Sequence, residues 1–278
     1  MAPALLRGEV GVAGMIDLHS HILPGVDDGA RELKDAIAMA HMAVADGIEV
    51  MACTPHFMPG LYDNEAHDIR HRVAALNEVF REEGIELALV LGSDAHIRPD
   101  FLSCLRSSII PTLHGSRYVL FEPPHAVMPQ RMDELLFNIQ MGGYVPVLTH
   151  PERLKWIEQN YDMVVNLANS GVWMQITAGS LTGRFGKRPQ YWAQRMLAEG
   201  HVSILATDAH NLTSRPPLLA EARDLAADEL GVDEATHLVV TRPECVLEDA
   251  EPDSAPLRPS PMVKATGTGS FLRRLFGG

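Results

Sequence analysis

The sequence predicts an α/β protein built as a parallel (β/α) barrel of about seven strands, and three observations support this prediction. Short β-like runs alternate with amphipathic helical stretches along the chain, which is typical of parallel strands joined by crossover helices. The runs are nearly continuous in Val, Ile and Leu, as in strands that are buried on both faces. No G-x-G-x-x-G follows the first run, which disfavours an open dinucleotide-binding sheet.

Strand and helix patterns can be assigned in chain order. The strand-like runs are GMIDLH, IEVMACTPH, IELALVLGSD, RYVLFE, YVPVLTH, GVWMQIT and HVSILATDAH. Apolar spacing predicts one helix over 31–46, ending before Gly47, and another over 64–83, ending before Gly84, since glycine commonly follows a helix end. Two further helices are predicted from PQRMDELLFNIQMGG and QYWAQRMLAEG, because the first carries proline near its start and both stop at glycine.

The chain divides into three parts by composition. Residues 1–14 are predicted to be an N-terminal extension, although Met15 is an alternative start, and residues 15–247 form the barrel. Residues 248–278 are rich in Pro, Ser, Gly and Ala without apolar periodicity, which predicts a disordered tail. The tail ends in the short basic amphipathic segment FLRRLFGG, which indicates either a weak membrane or partner contact or simply a frayed end.

Charge and membrane signals narrow the classes of function. The formal net charge of −13 over 278 residues argues against a duplex nucleic-acid binder, which needs a basic face. An acidic protein can still bind an anionic substrate when cations inside the site supply positive charge. No apolar run is long enough to span a bilayer, and the first residues match a signal peptide poorly. We therefore expect a soluble, cytoplasmic protein.

The three cysteines support the same compartment and exclude one enzyme class. They form no C-x-x-C pair, which suits a reducing environment better than a disulfide framework. Pro59, Ile110 and Glu251 stand where a cysteine-dependent phosphatase would carry its arginine. Nucleophilic cysteine chemistry on phosphate is therefore disfavoured.

Metal-binding side chains lie at the ends of the predicted strands. They are Asp17, His19 and His21, then His56, Asp94, Glu122 and His150, and finally Asp208 and His210. The C-terminal ends of barrel strands share one face, where active sites of this architecture lie, so these residues are expected to converge. The pairs His19/His21 and Asp208/His210 each point to one side, since side chains alternate along a strand. The sequence therefore predicts a metal site.

The ligand types indicate both the metal and the reaction. Imidazole together with carboxylate suits Mn, Fe or Zn, whereas an all-oxygen set would suggest Mg or Ca. The candidate ligands outnumber the positions around a single ion. A carboxylate can bridge two ions roughly 3.5–4 Å apart, an arrangement that clamps the attacking and leaving oxygens in phosphoryl chemistry.

Four ordered segments resemble a known family. DLHSHILPGVDDG, TPHF, LTHPER and ATDAHN resemble the PHP (polymerase and histidinol phosphatase) superfamily, and more narrowly the CpsB/CapC-type bacterial tyrosine phosphatases of capsule and exopolysaccharide systems. The likeness covers residues 15–246 and includes AGSLTGRFGK. It implies a distorted, TIM-like (β/α)7 barrel and a protein-tyrosine phosphatase that acts on the tyrosine kinase of such a system. It also implies two or three divalent ions, usually Mn, with Fe, Zn or Mg as alternatives.

The resemblance further implies three overlapping ligand sets. These are His19, His21, Asp94 and Asp208 for the first ion, Asp94, Glu122 and His150 for the second, and Asp28, His56 and His210 for the third. Arg153 and Arg215 match arginines that bind the phosphate. In the basic AGSLTGRFGKR segment, expected to be a flexible rim loop, Arg184 and Lys187 either guide an acidic phosphopeptide or are merely solvated. His56, His125 or a water could protonate the leaving group, and the sequence leaves this open.

One position departs from the family pattern. The bridging ligand is normally Glu, but this chain has Asp94 in GSDAH, which shortens the reach by roughly 1.5 Å. Either the strand end lies further inward, or His96 helps, or metal affinity is reduced. The alternative functions are a PHP phosphoesterase for a small molecule, of the histidinol phosphate or nucleotide type, and a catalytically weak regulatory subunit of polysaccharide export.

Overall fold

Parallel β-strands form the centre of the protein, and the computed structural model describes residues 14–259. In this part of the chain the strands are β1 (Met15–Ser20), β2 (Ile48–Cys53), β3 (His56–Phe57), β4 (Ala88–Leu91), β5 (Asp94–His96), β6 (Tyr118–Glu122), β7 (Val145–Thr149), β8 (Trp173–Thr177) and β9 (Ile204–Ala206). They pair in parallel in two sheets of order β1-β2-β4 and β3-β5-β6-β7-β8-β9.

Two short interruptions divide runs that the sequence predicts as single strands. Residues 54–55 separate β2 from β3, and residues 92–93 separate β4 from β5. Counted across these breaks, the strand order is that of seven successive βα units. Ser20, at the end of β1, also pairs in parallel with Ala209, after β9. The predicted parallel α/β fold with TIM-like strand order is confirmed.

Helices connect the strands. Their bounds are α1 (Leu33–Ala45), α2 (Ala66–Glu83), α3 (Phe101–Arg106), α4 (Met132–Met141), α5 (Tyr161–Asn169), α6 (Ala178–Leu181), α7 (Lys187–Ala198), α8 (Ala220–Leu230), α9 (Val232–Thr236) and α10 (Arg242–Leu247). A π-helical turn, His237–Thr241, joins α9 to α10, and 3-10 turns cover Leu113–Gly115, Pro151–Arg153, Ile157–Gln159 and Pro252–Ser254. The segment AGSLTGRFGKR, expected to be a flexible loop, instead contains α6 and the start of α7, so that expectation is wrong for most of its length.

The helices pack on the strands through apolar faces, as α2 shows. Its buried residues Ile69, Val73, Leu76 and Phe80 recur at helical spacing on one side. The helix ends at Gly84, which adopts the left-handed conformation at φ 69° and so terminates the helix without strain. The spacing of apolar residues and the glycine stop thus predict this helix well.

The strands are buried on both faces. Leu18, Val50, Leu120, Val147 and Ile204 belong to an inner cluster, whereas alternate strand residues pack against the helices in a second, larger cluster. This two-sided burial explains why the runs are nearly continuous in apolar residues. It also leaves the strand ends as the place where polar side chains can gather.

The chain beyond Leu247 contradicts part of the expected tail. Residues 248–259 were predicted to be disordered, yet Asp249 and Glu251 pair with Arg117, and Arg242 donates hydrogen bonds to the carbonyls of residues 256 and 257. Arg242 is itself buried and paired with Glu234 at 2.7 Å. The compact unit therefore extends past residue 247, because polar partners distant in sequence anchor a segment that has little apolar periodicity.

The extension over 1–13 and the final residues 260–278, with FLRRLFGG, lie outside the described residues. None of the helices within 14–259 combines the length and the apolar character that a membrane crossing demands.

Candidate metal centre

Three strands, β1, β5 and β9, bring four candidate ligands together in a first cluster. His19 and His21 lie on and just after β1, and their Nε2 atoms are 3.3 Å apart. His19 Nε2 is 3.5 Å from Asp94 Oδ2 and 3.3 Å from Asp208 Oδ1, and His21 Nε2 is 3.4 Å from the same Asp208 oxygen. All four side chains are buried. The set that the family resemblance implies for a first ion is therefore assembled in space.

A second cluster surrounds Glu122 at the end of β6. His56 Nδ1 lies 3.4 Å from Glu122 Oε2, and His125 and His150 approach the other oxygen at 3.3 and 3.7 Å. His56 Nδ1 is also 3.4 Å from Asp94 Oδ2. Asp94 thus lies between the first and second clusters, in the place expected of a bridging carboxylate.

A third cluster forms where the loop after β1 meets the start of β3 and the chain after β9. Asp28 Oδ1 lies 3.4 Å from His56 Nε2 and 3.3 Å from His210 Nε2. The ring centroids of His21 and His210 are 3.9 Å apart, so this cluster adjoins the first. His56 faces the second cluster with one nitrogen and the third with the other.

Asp94 reaches both of its neighbours in spite of its short side chain. It is fully buried and opens β5, directly after the break at residues 92–93, and its N–H donates to the carbonyl of Pro55 at 3.1 Å. Its Oδ2 atom lies 3.5 Å from His19 Nε2 and 3.4 Å from His56 Nδ1. His96 also lies 3.7 Å from Glu122.

The clusters contain buried polar atoms that nothing in the protein satisfies. Across residues 14–259, both Asp94 oxygens, His56 Nδ1 and His210 Nε2 have no hydrogen-bond partner. Leaving such atoms unpaired costs free energy, unless a group outside the chain binds them. Imidazole nitrogens and carboxylate oxygens are donors that Mn, Fe and Zn accept. The residues present therefore fit divalent metal ions.

The charges inside the clusters are strongly coupled. Burial lowers the pKa of His19, but Asp208 and Asp94 outweigh this and raise it to about 9. Burial likewise disfavours the charged form of His56, yet the adjacent carboxylates of Asp28 and Glu122 raise its pKa to about 11. Both histidines therefore lie in strongly negative surroundings, which favour a positive charge at each position.

Other cluster residues stay in the form that binds a cation. Burial lowers the pKa of His210 to about 4, assisted by the nearby charge of His21. Burial would raise the pKa of Asp208, but the charges of His19 and Arg215 hold it well below its usual range. A neutral imidazole and an ionised carboxylate are the forms that bind a metal.

Fixed partners orient the imidazoles. Gln175 Oε1 lies 3.0 Å from His19 Nδ1, and Asp27 Oδ2 lies 2.7 Å from His21 Nδ1. Each contact holds Nδ1 and so directs Nε2 towards the cluster. Metal-binding histidines are commonly oriented by such a hydrogen bond to the ring nitrogen that does not bind the metal. Sequence reasoning missed both residues. The signal for Gln175 was a single polar residue in the middle of WMQIT, and that for Asp27 was the adjacent acidic pair in GVDDG.

Asp17 has a different role from the one its position suggests. It is fully buried, and burial raises its pKa to about 6. Its carboxylate accepts hydrogen bonds from the N–H and hydroxyl of Thr207 and from the N–H of His19, not from an imidazole. Asp17 therefore ties β1 to the chain after β9 and holds the backbone of the site.

Two cluster residues have backbone conformations that side chains usually avoid. His150 has φ 34° and Asp208 has φ 51°, both in the left-handed region, which is unfavourable for residues other than glycine. Such conformations concentrate at functional sites, where the surrounding structure enforces them. Here they turn two side chains into the clusters directly after β7 and β9.

Two arginines border the first cluster. Arg153 and Arg215 both donate to Asp208 Oδ2 at 2.5 Å and are mostly buried. The guanidinium of Arg153 also lies over the ring of Phe185, 5.1 Å from its centroid. The structure thus brings both predicted phosphate-binding arginines to the same carboxylate.

The predicted basic rim is only partly assembled. Arg184 shares a small cavity with Arg215 and Phe185, which places it near the arginine pair. Lys187 is exposed at the start of α7, and among the hydrogen bonds and ion pairs of residues 14–259 none joins it to the clusters. Arg188 instead donates to the carbonyls of residues 154 and 155 at 3.0 and 3.1 Å and so fixes the loop after β7.

The protein thus has a parallel α/β fold of TIM-like strand order, with histidines and carboxylates that fit divalent metal ions gathered at one end of its strands. Comparison with known proteins gives the family. The model of the family described as "Capsular polysaccharide synthesis, CpsB/CapC" matches residues 15–248, and the chain belongs to this family.

Similar curated proteins are tyrosine phosphatases by name. The chain is 34% identical over 235 residues to tyrosine-protein phosphatase YwqE of Bacillus subtilis, covering 84% of this chain and 92% of the relative. It is 32% identical over 207 residues to the putative tyrosine-protein phosphatase CapC of Staphylococcus aureus, covering 74% and 81%. It is 30% identical over 240 residues to tyrosine-protein phosphatase CpsB of Streptococcus pneumoniae, covering 84% and 99%.

Solved structures agree with the fold. A crystal structure from work on YwqE of Bacillus subtilis and CpsB of Streptococcus pneumoniae, described as unique metal-dependent tyrosine phosphatases, superposes with a TM-score of 0.84 at 33% identity, covering 90% of this chain and 100% of that chain. A phosphotriesterase homology protein from Escherichia coli superposes with a TM-score of 0.54 at 11% identity, covering 86% and 100%, which supports the fold alone.

Proposed function

We propose that the protein is a metal-dependent protein-tyrosine phosphatase that acts on the tyrosine kinase of a capsule or exopolysaccharide system. The observation that carries this proposal is the set of three overlapping His–carboxylate clusters, with unsatisfied buried atoms, beside two arginines on Asp208. The names of the similar proteins support phosphotyrosine as the substrate, and the family description supports the polysaccharide system.

We assign the ligands by cluster and Mn as the metal. His19, His21, Asp94 and Asp208 hold one ion, Asp94, Glu122 and His150 a second, and Asp28, His56 and His210 a third. The distances of 3.3–3.7 Å between neighbouring ligand atoms support this assignment. His125 also lies close to Glu122 and His150, but we do not assign it as a ligand. Fe, Zn and Mg are the alternative metals, and the activity of protein loaded with each of them should be compared with that of the Mn-loaded protein.

The reaction depends on charge neutralisation and positioning. Bound divalent ions lower the pKa of water towards neutrality and neutralise phosphoryl oxygens. Arg153 and Arg215 present planar guanidinium groups that bind phosphate oxygens in pairs, and Phe185 limits the movement of Arg153. Asp208 holds both arginines at the border of the clusters, so that the substrate meets a preformed cationic site.

The leaving phenolate needs a proton, and we assign its donor as His125. His56, the other candidate, has carboxylates against both ring nitrogens and is better placed as a ligand. The His125 side chain is 35% exposed and lies 3.3 Å from Glu122, which places an imidazole at the solvent side of the second cluster. His125→Ala should therefore slow the hydrolysis of aryl phosphates with basic leaving groups more than that of aryl phosphates with acidic, activated leaving groups. Equal losses of rate for both kinds of substrate would favour water as the donor.

A substrate panel tests the proposed function. Protein freed of metal with a chelator and reloaded with Mn should hydrolyse phosphotyrosine peptides, in preference to histidinol phosphate and nucleotides. Comparable or faster rates on the small metabolites would show a small-molecule phosphoesterase. No hydrolysis of any phosphate ester by fully loaded protein would favour the regulatory subunit.

We further place the protein in a reducing compartment, the cytoplasm. All three cysteines are free, and two of them, Cys53 and Cys104, are buried in the core. Free buried thiols are usual in proteins that fold under reducing conditions.

A further inference from the structure

An aromatic ring lies directly over the site. Tyr62 stacks on the imidazole of His56, with ring centroids 5.3 Å apart and planes inclined by 18°. His56 in turn faces both the second and the third cluster. The Tyr62 side chain is partly exposed, so its ring packs on His56 with one face and remains accessible to solvent.

The loop that carries Tyr62 is rigidly built. Met58 and Tyr62 form an antiparallel bridge, with N–H···O distances of 3.2 and 2.8 Å. Gly60 turns the chain between them at φ 82°, where glycine is the favoured residue. Asn64 donates to the carbonyls of His56 and Val26 at 2.8 and 3.3 Å. The position of the ring is therefore fixed by backbone hydrogen bonds before any substrate arrives.

Exposed apolar side chains occur on three loops at this end of the strands. Leu61 is 64% exposed, Val127 69% and Leu212 37%. Leu61 adjoins Tyr62, whereas Val127 and Leu212 each follow a cluster histidine, His125 or His210, by two residues. Since the carboxyl ends of parallel strands share one face, these loops border the clusters. We name Leu61, Tyr62, Val127 and Leu212 the apolar rim.

We propose that the apolar rim binds the phenyl ring of phosphotyrosine and the apolar peptide residues beside it, so that the rim selects aryl phosphates in an apolar sequence context. The inference rests on the proposed function and specifies its substrate. Aromatic pairs prefer offset-stacked or edge-to-face contacts, which Tyr62 can offer to a phenyl ring but not to an alkyl phosphate. Exposed apolar residues next to a site of this kind mark a binding surface more often than isolated ones do.

Tyr62 variants test the aromatic contact. Tyr62→Ala should lower kcat/KM for a phosphotyrosine peptide by a factor of roughly 2–12, the range that a stacked pair contributes. The same variant should change kcat/KM for a phosphoserine peptide much less, and Tyr62→Phe should behave like the parent. Comparing variant with parent on each substrate cancels the intrinsic reactivity of the two esters. Equal losses on both peptides would overturn the proposal, because Tyr62 would then act only through His56.

Leu61→Ser tests the peptide contact, with Val232→Ser as its matched control. Val232 is 72% exposed at the start of α9, away from the loops of the rim in sequence. Leu61→Ser should reduce kcat/KM for a peptide with leucine beside the phosphotyrosine but not for one with serine there, and Val232→Ser should change neither. Equal changes in kcat/KM for Leu61→Ser and Val232→Ser would contradict the proposal that the apolar rim binds the peptide.

A binding measurement separates this inference from the proposed function. Calorimetric titration with a phosphonomethyl-phenylalanine peptide, which cannot be hydrolysed, measures ring recognition without turnover. The dissociation constant should rise by the same factor in Tyr62→Ala and remain unchanged in Tyr62→Phe. Unchanged binding in Tyr62→Ala would refute the rim even if the protein hydrolyses phosphotyrosine, whereas altered binding would support the rim even if it does not.

Discussion

Asp27→Asn should weaken metal binding without removing a single ligand. Asp27 is buried and lies 2.7 Å from His21 Nδ1, and it also accepts the N–H groups of Gly29 and His56 at 3.0 and 3.1 Å. Although burial disfavours its ionised form, the charge and hydrogen bond of His21 lower its pKa from 3.8 to about 2. The charged form is therefore held in place mainly by the imidazole that it orients.

The size of the effect follows from the role of Asp27 as the fixed partner of His21. Losing the outer partner that orients a metal-bound histidine typically costs roughly 10- to 100-fold in metal affinity. The neutral amide keeps the shape of the side chain, so the fold should survive while the metal dissociation constant rises by this factor.

A competitive titration with a chromogenic chelator measures that change. Asp228→Asn on α8 removes an exposed carboxylate and serves as the control, with affinity unchanged. Parental affinity in Asp27→Asn would refute the conclusion that Asp27 positions His21. Circular dichroism should show that both variants remain folded.

Three further changes test other parts of the site. Asp94→Glu should lower the metal content that mass spectrometry measures. The aspartate carboxylate already lies 3.4–3.5 Å from His56 and His19, and an extra methylene would overpack this fully buried position. A higher metal content in the variant would show that Asp94 does not reach far enough. Arg153→Ala should keep the melting temperature and lower kcat by roughly 100-fold or more, and near-parental turnover would show that the arginine does not bind the phosphate. Burial raises the pKa of Glu152 from 4.5 to about 7, so the folded protein retains a proton that the unfolded chain releases between these values. The free energy of unfolding should therefore fall by on the order of 3 kcal/mol as pH rises through this window, and Glu152→Gln should flatten that slope in urea titrations from pH 5 to 8; an unchanged slope would contradict the assignment.

Most residues of the clusters could be predicted from the sequence because a simple rule relates their positions, whereas Asp28 followed only from the family resemblance. His19 and His21 alternate at one strand end, as do Asp208 and His210 at another, and parallel strands bring such ends to one face. To predict which distant residues meet, it is therefore enough to identify the strands, and the buried apolar runs make the strands easy to identify. The end of α2 at Gly84 could also be predicted from local sequence, because glycine readily adopts the left-handed conformation that ends a helix.

Partners that depend on packing between distant elements could not be predicted. Gln175 reaches His19 across 156 positions of sequence, and nothing local shows which of the two strand faces it occupies. The order of residues 248–259 depends on the buried Arg242 and its neighbours, whereas their composition alone resembles a linker. Left-handed conformations at His150 and Asp208 arise from the strand-to-loop geometry, which residue type does not reveal.

Anomalous diffraction from crystals of the Mn-loaded protein, measured at the Mn edge, locates any bound metal directly. We expect peaks within the three His–carboxylate clusters, including one between His19, His21, Asp94 and Asp208. In a matched sample of the Asp94→Asn variant, the peaks that share this carboxylate should weaken together. Absence of anomalous density from the clusters in protein that hydrolyses a phosphotyrosine peptide would contradict the proposed metal-dependent mechanism.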